Sequence, residues 1–500
     1  MAPVTHLPPL TGVSAPMRFE ATVEDCLVEG DIPESLRGVF AVVGKTWKYP
    51  QPQGSFAQQS KDGMVQAYLF ENGRVTYSNR WVRTPKFELE AKYHRGLFEY
   101  EDAWGDWRDT CMYPKSGDGR VTDGVPSGVA GTNIFPWYGL AGGALLTANE
   151  LGIVPMEMDP CTLETKGIID WGYQLAPGLA GTPSFTAHPK WDHETGEVYG
   201  WTYGTNPDGY ITMHFVQPDG RVKTRTLDEV PYAAAVHDGW LTENYLILPV
   251  TPWYADPQRP LTQDLGMHNW DPSKPSCLVL VPRSLEGEIK YIYTDFDAEF
   301  VLHTVGAHER NGKIYLEGPL YDRPPFPLNF EDLPKGADYP PFPAAVYGRW
   351  VLDTQLGKIV SERLDDVPCE LPKMDERFYG KNFENGFYLA GGNANLLAFN
   401  TIVHRNVVTG EQKSFTYKSA DDVTVVEPTF APRYYGAPEG DGYLLAPAIL
   451  HSERLSELLI FDTADISRGP LATVKLPFQT GWISHGHYMD FNHVAKLQGI

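Results

Sequence analysis

Short alternating apolar runs separated by tight-turn dipeptides recur along the chain, and they constrain its fold more than any other feature. Such runs flank Thr195-Gly196, Asp219-Gly220, Asn311-Gly312, Thr409-Gly410 and Asp441-Gly442, and Asn72-Gly73 lies between two further runs. Alternation with a period of two is the pattern of half-buried strands, and Asn-Gly and Asp-Gly favour two-residue hairpin turns. The sequence therefore predicts an all-β fold built from many hairpins.

Composition agrees with short strands joined by turns, because 48 glycines and 42 prolines accompany 13% aromatic residues. The first buried strand is expected at residues 37–44, after a proline-containing lead-in at residues 1–35. The best helical segment is the short polar stretch 86–97. No long hydrophilic linker divides the rest, and all-β proteins run long as single domains. We therefore predict one domain over residues 36–500.

The net charge and the cysteine content limit the classes of partner that we expect for this protein. A formal charge of −23 argues against nucleic acid and anionic membranes, because both need clustered Lys and Arg. No apolar run approaches the length of a spanning helix, and no secretory signal is visible, so we expect no stable membrane insertion. The five scattered cysteines form no CxxC pair. These features predict a cytoplasmic protein that acts on a small molecule; they do not predict its oligomeric state.

Two long inserts, residues 101–128 and 321–343, are rich in turn-forming residues. Long loops in a compact domain are often lids or pocket walls, although plain surface excursions are the simpler alternative.

Four histidines lie inside or beside apolar, strand-like runs: His188, His237, His303 and His485. Neutral imidazole binds divalent iron, zinc, copper and nickel, and four imidazoles leave a six-coordinate metal two positions for a small reactant such as O2. Their spacing matches no compact metal motif. It fits a site assembled from distant strands, as on the axis of a β-propeller. Taken singly, a histidine beside an apolar strand is more often a structural residue than a metal ligand.

His487 competes with His485, because strand alternation places both side chains on one face. Other chemistry has little support, since there is no GxGxxG after a strand, no P-loop and no GxSxG elbow.

The histidine stretches, taken in order, resemble the iron-ligand segments of the carotenoid cleavage oxygenase family. They are the run Thr186-Ala187-His188-Pro189-Lys190-Trp191-Asp192, the pair His237-Asp238, the run from His303 to Ala307-x-Glu309, and the pair His485-Gly486. Asp62-Gly63-Met64 and Glu439-Gly440-Asp441-Gly442-Tyr443 are also similar to the family. The resemblance extends from about residue 19 to 488, and we favour His485 over His487 because Gly486 follows it.

The resemblance implies a seven-bladed β-propeller in which the four histidines hold an Fe(II) ion, Fe²⁺, on the axis. Loops and a short helix are expected to form a cap over this site. It also implies three glutamates that accept hydrogen bonds from ligand imidazoles, at Glu150, Glu370 and Glu427. Such carboxylates fix the tautomer and orientation of a ligand ring. Thr132 matches a position whose side chain stands near a vacant iron site, although it could equally be an ordinary strand threonine.

Within the family, residues 80–87 and 469–478 are similar to isoeugenol-cleaving and lignostilbene-cleaving enzymes. Stilbene cleavers carry a lysine just before the first of the three glutamates, where it binds the phenol oxygen; here that residue is Asn149. His308 is a spare imidazole near the third ligand, and Tyr100 and Phe326 are further predicted pocket residues.

These features predict a non-haem Fe(II) dioxygenase that uses O2 to cleave the C=C bond of an aromatic alkene. Isoeugenol, 4-vinylguaiacol and a hydroxycinnamyl alcohol are the expected substrates, with aldehydes such as vanillin as products. Cleavage of a stilbene or an apocarotenoid is the alternative within the family, and an isomerohydrolase can use the same ligands. A metal-free propeller that serves as a binding scaffold is the alternative from another class.

Overall fold

The structure is a computed structural model that describes residues 17–49, 61–98, 125–126, 128–139, 143–150, 153–178, 183–256, 258, 268–325, 344–392, 398–481 and 483–491. Most of the two long predicted inserts, including Phe326, lies outside these ranges, as does Tyr100. Within them, no helix is long and apolar enough to cross a membrane.

Strands dominate the described residues. The first sixteen are β1 (Ala21–Val23), β2 (Leu27–Gly30), β3 (Gly38–Thr46), β4 (Asp62–Glu71), β5 (Arg74–Trp81), β6 (Asn133–Trp137), β7 (Ala144–Asn149), β8 (Ile153–Met158), β9 (Thr165–Ile168), β10 (Lys190–Trp191), β11 (Val198–Tyr203), β12 (Ile211–Val216), β13 (Val222–Leu227), β14 (Trp240–Leu241), β15 (Tyr245–Val250) and β16 (Trp253–Ala255).

The remaining strands are β17 (His268–Trp270), β18 (Cys277–Pro282), β19 (Lys290–Tyr293), β20 (Gly306–Arg310), β21 (Lys313–Leu320), β22 (Val346–Asp353), β23 (Lys358–Met374), β24 (Asn385–Ala390), β25 (Thr401–Asn406), β26 (Gln412–Thr416), β27 (Val423–Val425), β28 (Thr429–Pro432), β29 (Gly442–Leu450), β30 (Leu455–Asp462), β31 (Ala472–Leu476) and β32 (Ile483–Asp490). One α-helix, α1 (Pro85–Tyr93), and 3-10 turns at Glu376–Phe378 and Ile466–Arg468 complete the described elements.

The strands form the seven blades of a β-propeller, except β16 and β17, which pair in a separate two-stranded sheet. Blade 1 has the strand order β1-β5-β4-β3-β32, blade 2 is β6–β9, blade 3 is β10–β13, and blade 4 is β14-β15-β18-β19. Blade 5 is β20–β23, blade 6 is β23–β26, and blade 7 is β2-β31-β30-β29-β27 with β28 beside β29. The long strand β23 serves two blades, because its first half pairs with β22 and its second half with β24. The predicted all-β propeller is confirmed.

Blade 1 joins distant parts of the sequence, since β32 pairs antiparallel with β3, from Gly38 opposite Asp490 to Val43 opposite His485. Apolar side chains fill the spaces between neighbouring blades. Val39, Ala41 and Val43 of blade 1, for example, pack in one cluster with Ile134 and Leu145 of blade 2. Because each blade buries both faces, the strands are apolar on both sides near the axis, and polar side chains there need specific partners.

The hairpin prediction at Asn72-Gly73 is confirmed. The turn joins β4 to β5, and both residues have positive φ, 53° and 69°, as a two-residue turn of this type requires. The predicted lead-in is not free of structure, however. β1 and β2 lie within it and pair with β5 and β31, which the short, mostly exposed strands did not reveal by alternation.

The single helix begins where the sequence predicted and ends earlier. Thr84 caps its N-terminus by accepting a hydrogen bond from the Phe87 backbone N–H, and Pro85 occupies the first turn. His94, with φ 54°, adopts the left-handed conformation that ends the helix. The predicted end at residue 97 is therefore wrong by four residues.

A buried ion pair network fixes this helix to blade 1. The Lys86 ammonium lies 2.8 Å from Asp62 Oδ1 and 2.8 Å from Glu90 Oε2, and all three side chains are almost fully buried. Glu90 also accepts a hydrogen bond from the Leu97 N–H. One lysine thus compensates two carboxylates that would otherwise be buried without a counter-charge.

We expect Lys86→Met to lower the free energy of unfolding by about 3–5 kcal/mol, the usual effect of removing one partner from a buried ion pair. Urea unfolding measures this, with the exposed Lys92→Met on the same helix as the control. Burial raises the pKa of Glu90, so the folded variant binds protons more readily than the unfolded protein. Its deficit should therefore shrink as pH falls; a deficit independent of pH would contradict this explanation.

Candidate metal centre

The four predicted histidines converge on the propeller axis. The ring nitrogens of His188, His237, His303 and His485 lie within 4.8 Å of one another. Each comes from the inner edge of a different blade. His188, His237 and His303 shortly precede β10, β14 and β20, and His485 lies in β32. The distance between these segments in the sequence is thus a consequence of radial assembly.

Three predicted glutamates come from the other three blades. Glu150 follows β7 of blade 2, Glu370 lies in the blade 6 half of β23, and Glu427 lies between β27 and β28 of blade 7. Every blade therefore contributes one histidine or one glutamate to the axis. A propeller explains this arrangement, because each inner strand faces the same centre.

Each glutamate contacts the Nδ1 of one histidine. Glu370 Oε2 lies 2.7 Å from His303 Nδ1, and its other oxygen accepts a hydrogen bond from the Tyr321 hydroxyl at 3.0 Å. Glu427 Oε1 lies 2.7 Å from His485 Nδ1.

The third pair has Glu150 Oε1 2.5 Å from His237 Nδ1. Tyr203 donates to the other oxygen of Glu150 at 3.2 Å. A carboxylate at Nδ1 holds the proton on that nitrogen and leaves the Nε2 lone pair facing the axis.

The geometry of the Nε2 atoms fits a bound cation. His237 Nε2 and His303 Nε2 lie 3.2 Å apart, and with protons on Nδ1 both nitrogens have a lone pair available to a cation. Two nitrogens at right angles on one metal, each at about 2.1 Å, are separated by about 3 Å. His188 Nε2 is buried without a hydrogen-bond partner. An ion among these nitrogens would satisfy all of them, so the residues fit a divalent metal.

Electrostatics favour the same interpretation. Burial and then the neighbouring imidazoles lower the pKa of His188 far below its ordinary value, which keeps it a neutral ligand. Burial alone would raise the pKa of Glu427, but Lys373 and His485 outweigh it and hold that carboxyl ionised. Two buried carboxylates, Glu370 and Glu427, and the partly buried Glu150 surround the four imidazoles and create negative charge that a dication would offset.

His487 has a glutamate on Nδ1, as three of the four axis histidines do, but it lies outside their cluster. Its Nδ1 is 2.6 Å from Glu376 Oε2, and its ring packs edge-on against Trp191 with centroids 5.2 Å apart. The two histidines of β32 share a face, as alternation predicted. Successive same-face positions are nonetheless about 7 Å apart along a strand, so only His485 reaches the axis cluster.

Sequence reasoning missed a polar network that connects three histidine segments. Lys190 Nζ lies 2.7 Å from Asp238 Oδ1, and the Thr304 backbone N–H and hydroxyl donate to Asp238 Oδ2 at 2.8 and 2.9 Å. These residues follow His188, His237 and His303 by two, one and one positions. The His188-Pro-Lys190 and His237-Asp238 motifs contained the signal, but their pairing depends on contacts between blades.

A second missed group lies beside Glu427. Lys373 Nζ is 3.4 Å from Glu427 and 2.8 Å from Glu376, so one ammonium is shared by the partners of His485 and His487. Burial would raise the pKa of Glu376, but Lys373 and then His487 lower it to about 2. A small polar cavity of about 20 Å³ lies between these groups and His188, with room for one water molecule.

The other predicted residues lie as follows. Thr132 is half-buried just before β6, and its N–H donates to the Ala148 carbonyl at 3.0 Å. Asn149 is buried as the last residue of β7. Asn149 directly precedes Glu150, and Thr132 is bonded to the strand that leads to Glu150. The roles of both residues stay predictions.

His308 lies away from the axis cluster. Its ring stacks on Tyr315 with centroids 4.8 Å apart and packs edge-on against Phe383. Burial lowers its pKa to about 4. These aromatic contacts account for His308 as a packing residue. They give no support to its predicted place in the substrate pocket. Tyr100 and Phe326 lie outside the described residues.

Comparison with known proteins gives a consistent result. The family model for retinal pigment epithelial membrane protein matches residues 14–490. The chain is 33% identical to isoeugenol monooxygenase of Pseudomonas nitroreducens, over 96% of this chain and 97% of that protein. It is 30% identical to lignostilbene-alpha,beta-dioxygenase isozyme III of Sphingomonas paucimobilis, over 96% of each.

Among solved structures, the lignostilbene dioxygenase of Pseudomonas brassicacearum superposes with a TM-score of 0.81 at 29% identity, covering 97% of this chain and 98% of that one. The family match spans the four histidines, the three glutamates and all seven blades. The chain therefore belongs to the retinal pigment epithelial membrane protein, or carotenoid cleavage oxygenase, family of dioxygenases that cleave carbon–carbon double bonds.

Proposed function

We propose that this protein is a non-haem Fe(II) dioxygenase that cleaves the alkene C=C bond beside the ring of a small aromatic substrate. The convergence of four imidazoles, three of them held by carboxylates, carries the proposal. The similarity to isoeugenol monooxygenase supports the substrate class. Isoeugenol, 4-vinylguaiacol and a hydroxycinnamyl alcohol are the proposed substrates.

The reaction consumes one alkene and one O2 and yields two carbonyl compounds. The C=C bond breaks, each carbon gains one oxygen atom, and the four electrons that reduce O2 come from the alkene. No NADH, flavin or 2-oxoglutarate is needed. When bound, Fe(II) supplies the means to activate O2, which does not react with alkenes unaided.

The residues of this protein prepare the site for that chemistry. His188, His237, His303 and His485 would hold the metal, and Glu150, Glu370 and Glu427 orient three of those rings. The Lys190–Asp238–Thr304 network ties together the segments that carry the first three histidines. Rigid ligand segments preserve the geometry on which positioning of the alkene depends. Thr132 is the proposed neighbour of the vacant metal position.

Cleavage of a stilbene is the second candidate, because two lignostilbene dioxygenases, one compared by sequence and the other by structure, are similar over nearly their whole lengths. The two candidates differ in what occupies the far side of the alkene. An alkyl group extends from isoeugenol, whereas a second aromatic ring extends from a stilbene and needs a longer cavity. A metal-free binding scaffold is disfavoured, because it would leave His188 Nε2 buried without a hydrogen-bond partner.

The experiment is product analysis by mass spectrometry, using iron-loaded protein in air with isoeugenol, 4-vinylguaiacol, coniferyl alcohol, a hydroxylated stilbene and an apocarotenal. We expect vanillin from at least one of the first three, with turnover that requires both iron and O2. The His485→Ala protein is the control for iron adventitiously bound elsewhere. Faster cleavage of the stilbene or the apocarotenal would replace the proposed substrate class. No aldehyde from any substrate would reject the proposed function.

A further inference from the structure

Tyr321 is a buried tyrosine that lies beside the segment carrying the third histidine. It directly follows β21, and its backbone forms an isolated bridge with Phe300, in which each N–H donates to the other residue's carbonyl at 2.9 Å. Its ring lies in one apolar cluster with Phe300 and with Leu302, the residue before His303. A phenylalanine would fill the same apolar space, so packing alone does not account for the hydroxyl group.

The hydroxyl of Tyr321 contacts Glu370, the carboxylate that holds His303. It donates to Glu370 Oε1 at 3.0 Å, whereas Glu370 Oε2 accepts from His303 Nδ1 at 2.7 Å and from the Leu371 N–H at 2.5 Å. Tyr321 is thus the one donor to Oε1 in the part of the chain that the structure describes. Because Glu370 is only 1% exposed, removal of the hydroxyl would leave a buried carboxylate oxygen without a protein donor.

All three glutamates of the metal centre are held at both carboxylate oxygens. The second oxygen of Glu150 accepts from the Tyr203 hydroxyl at 3.2 Å, and that of Glu427 accepts from the Gly486 N–H at 2.9 Å. A carboxylate that is held at both oxygens does not turn freely about its terminal bond, so the direction in which it accepts from the imidazole is fixed. That direction orients the ligand ring. A donor to the second oxygen therefore contributes to the orientation of the ring.

We propose that Tyr321 is a positioning residue that orients His303 by fixing the carboxylate of Glu370. This inference rests on the proposed function, because it requires a metal at the four histidines, and it deepens that function by adding a further residue to the support of one ligand. Tyr321 acts through Glu370 and touches neither metal nor substrate. Its loss should therefore alter the His303 ring and leave the other ligand rings in place.

The test uses protein loaded with cobalt(II), a paramagnetic divalent ion that shifts the proton resonances of bound imidazole rings away from the rest of the NMR spectrum. The Nδ1 protons of His237, His303 and His485 should give separate signals. Their exchange with D2O reports how firmly each carboxylate holds its ring, and the His303 signal is identified as the one that Glu370→Gln also changes. Competition with a chelator measures the affinity for cobalt, so neither readout depends on turnover.

The variants are Tyr321→Phe, which removes only the hydroxyl, and Tyr347→Phe as the matched control. Tyr347 lies in β22 of the same blade and donates to Glu317 Oε2 at 3.0 Å, with both side chains fully buried. The control loses the same kind of hydrogen bond, but from a glutamate that bonds no histidine. Circular dichroism establishes folding. Tyr321→Met, whose flexible side chain adapts to an apolar site, replaces Tyr321→Phe if that variant fails to fold.

We expect Tyr321→Phe to accelerate exchange of the His303 signal by roughly 10–100-fold, the equivalent of one hydrogen bond to a charged group, and to leave the other two signals unchanged. Its cobalt affinity should fall by less than roughly 10-fold, the lower end of the effect of changing a direct partner of a ligand. Tyr347→Phe should match the wild type. Unchanged exchange at His303, equal acceleration of all three signals, or the same result in Tyr347→Phe would overturn the inference.

The two readouts separate failure of this inference from failure of the proposed function. A wild-type protein that binds no cobalt at the four histidines would overturn both. Bound cobalt with unchanged exchange at His303 in Tyr321→Phe would overturn the inference alone. Because no substrate takes part, failure to cleave any alkene would reject the proposed function without altering the exchange result.

Discussion

The His485→Ala protein is expected to lose its tightly bound metal and to fall in activity by more than roughly 100-fold, beyond the effect of removing a partner of a ligand. His485 would supply one of four ligands, and its ring lies 4.5 Å from that of His188 and 4.8 Å from that of His303. An alanine leaves a gap in the ligand set and removes the imidazole partner of Glu427 Oε1. Iron per protein molecule after gel filtration, measured by plasma emission spectrometry, checks the first effect.

His487→Ala is the matched control, because it removes an imidazole from the same strand and the same face. His487 also has a glutamate on Nδ1, and it differs from His485 in lying outside the cluster. We expect this variant to keep one iron per protein molecule. Equal metal loss in the two variants would show that alanine disrupts β32 in general. Loss of the metal only in His487→Ala would show that His487, and not His485, is the ligand.

Glu427→Gln is expected to weaken metal binding by roughly 10–100-fold, the range found for residues that orient metal ligands. Glu427 accepts from His485 with one oxygen and from the Gly486 N–H at 2.9 Å with the other. Glutamine offers a single acceptor oxygen, so one of these donors loses its partner, and the ring of His485 loses its charged support. Competition with a fluorescent chelator measures the metal dissociation constant.

Glu376→Gln provides a control with the same chemical change. Glu376 contacts His487 instead of His485, and it shares Lys373 with Glu427. Either substitution leaves Lys373 with one carboxylate, so the effect of the lysine cancels in the comparison. We expect Glu376→Gln to unfold at lower temperature yet to retain the wild-type metal affinity. Equal weakening in both variants would remove the specific link between Glu427 and the metal.

Local features of this fold were predictable from sequence. The Asn72-Gly73 turn requires positive φ at two adjacent residues, and few dipeptides adopt that conformation readily. The start of the helix was also predictable, because Thr84 and Pro85 form a capping sequence. Its end was not, because His94 adopts the left-handed conformation that glycine more often supplies at the end of a helix. The short strands β1 and β2 were missed because their outer positions in blades expose much of their length.

The candidate site was likewise predictable from the sequence only in part. The four histidines were recognisable as an ordered set through a family resemblance, but spacing alone left each one open. The distinction between His485 and His487 depends on how far each lies along β32 from the axis, which alternation cannot show. The Lys190–Asp238 pair and the sharing of Lys373 depend on contacts between blades. Such contacts join residues far apart in the sequence, and no local pattern encodes them.

The central claim joins a metal held by four histidines to cleavage of an aromatic alkene with O2. Its most direct test follows oxygen uptake and aldehyde formation together, in samples loaded with increasing iron. We predict one O2 consumed and two carbonyl products formed per alkene cleaved, with a rate that rises linearly up to one iron per protein molecule and is absent in His485→Ala. Aldehyde formation without iron, or oxygen uptake without aldehyde, would contradict the claim.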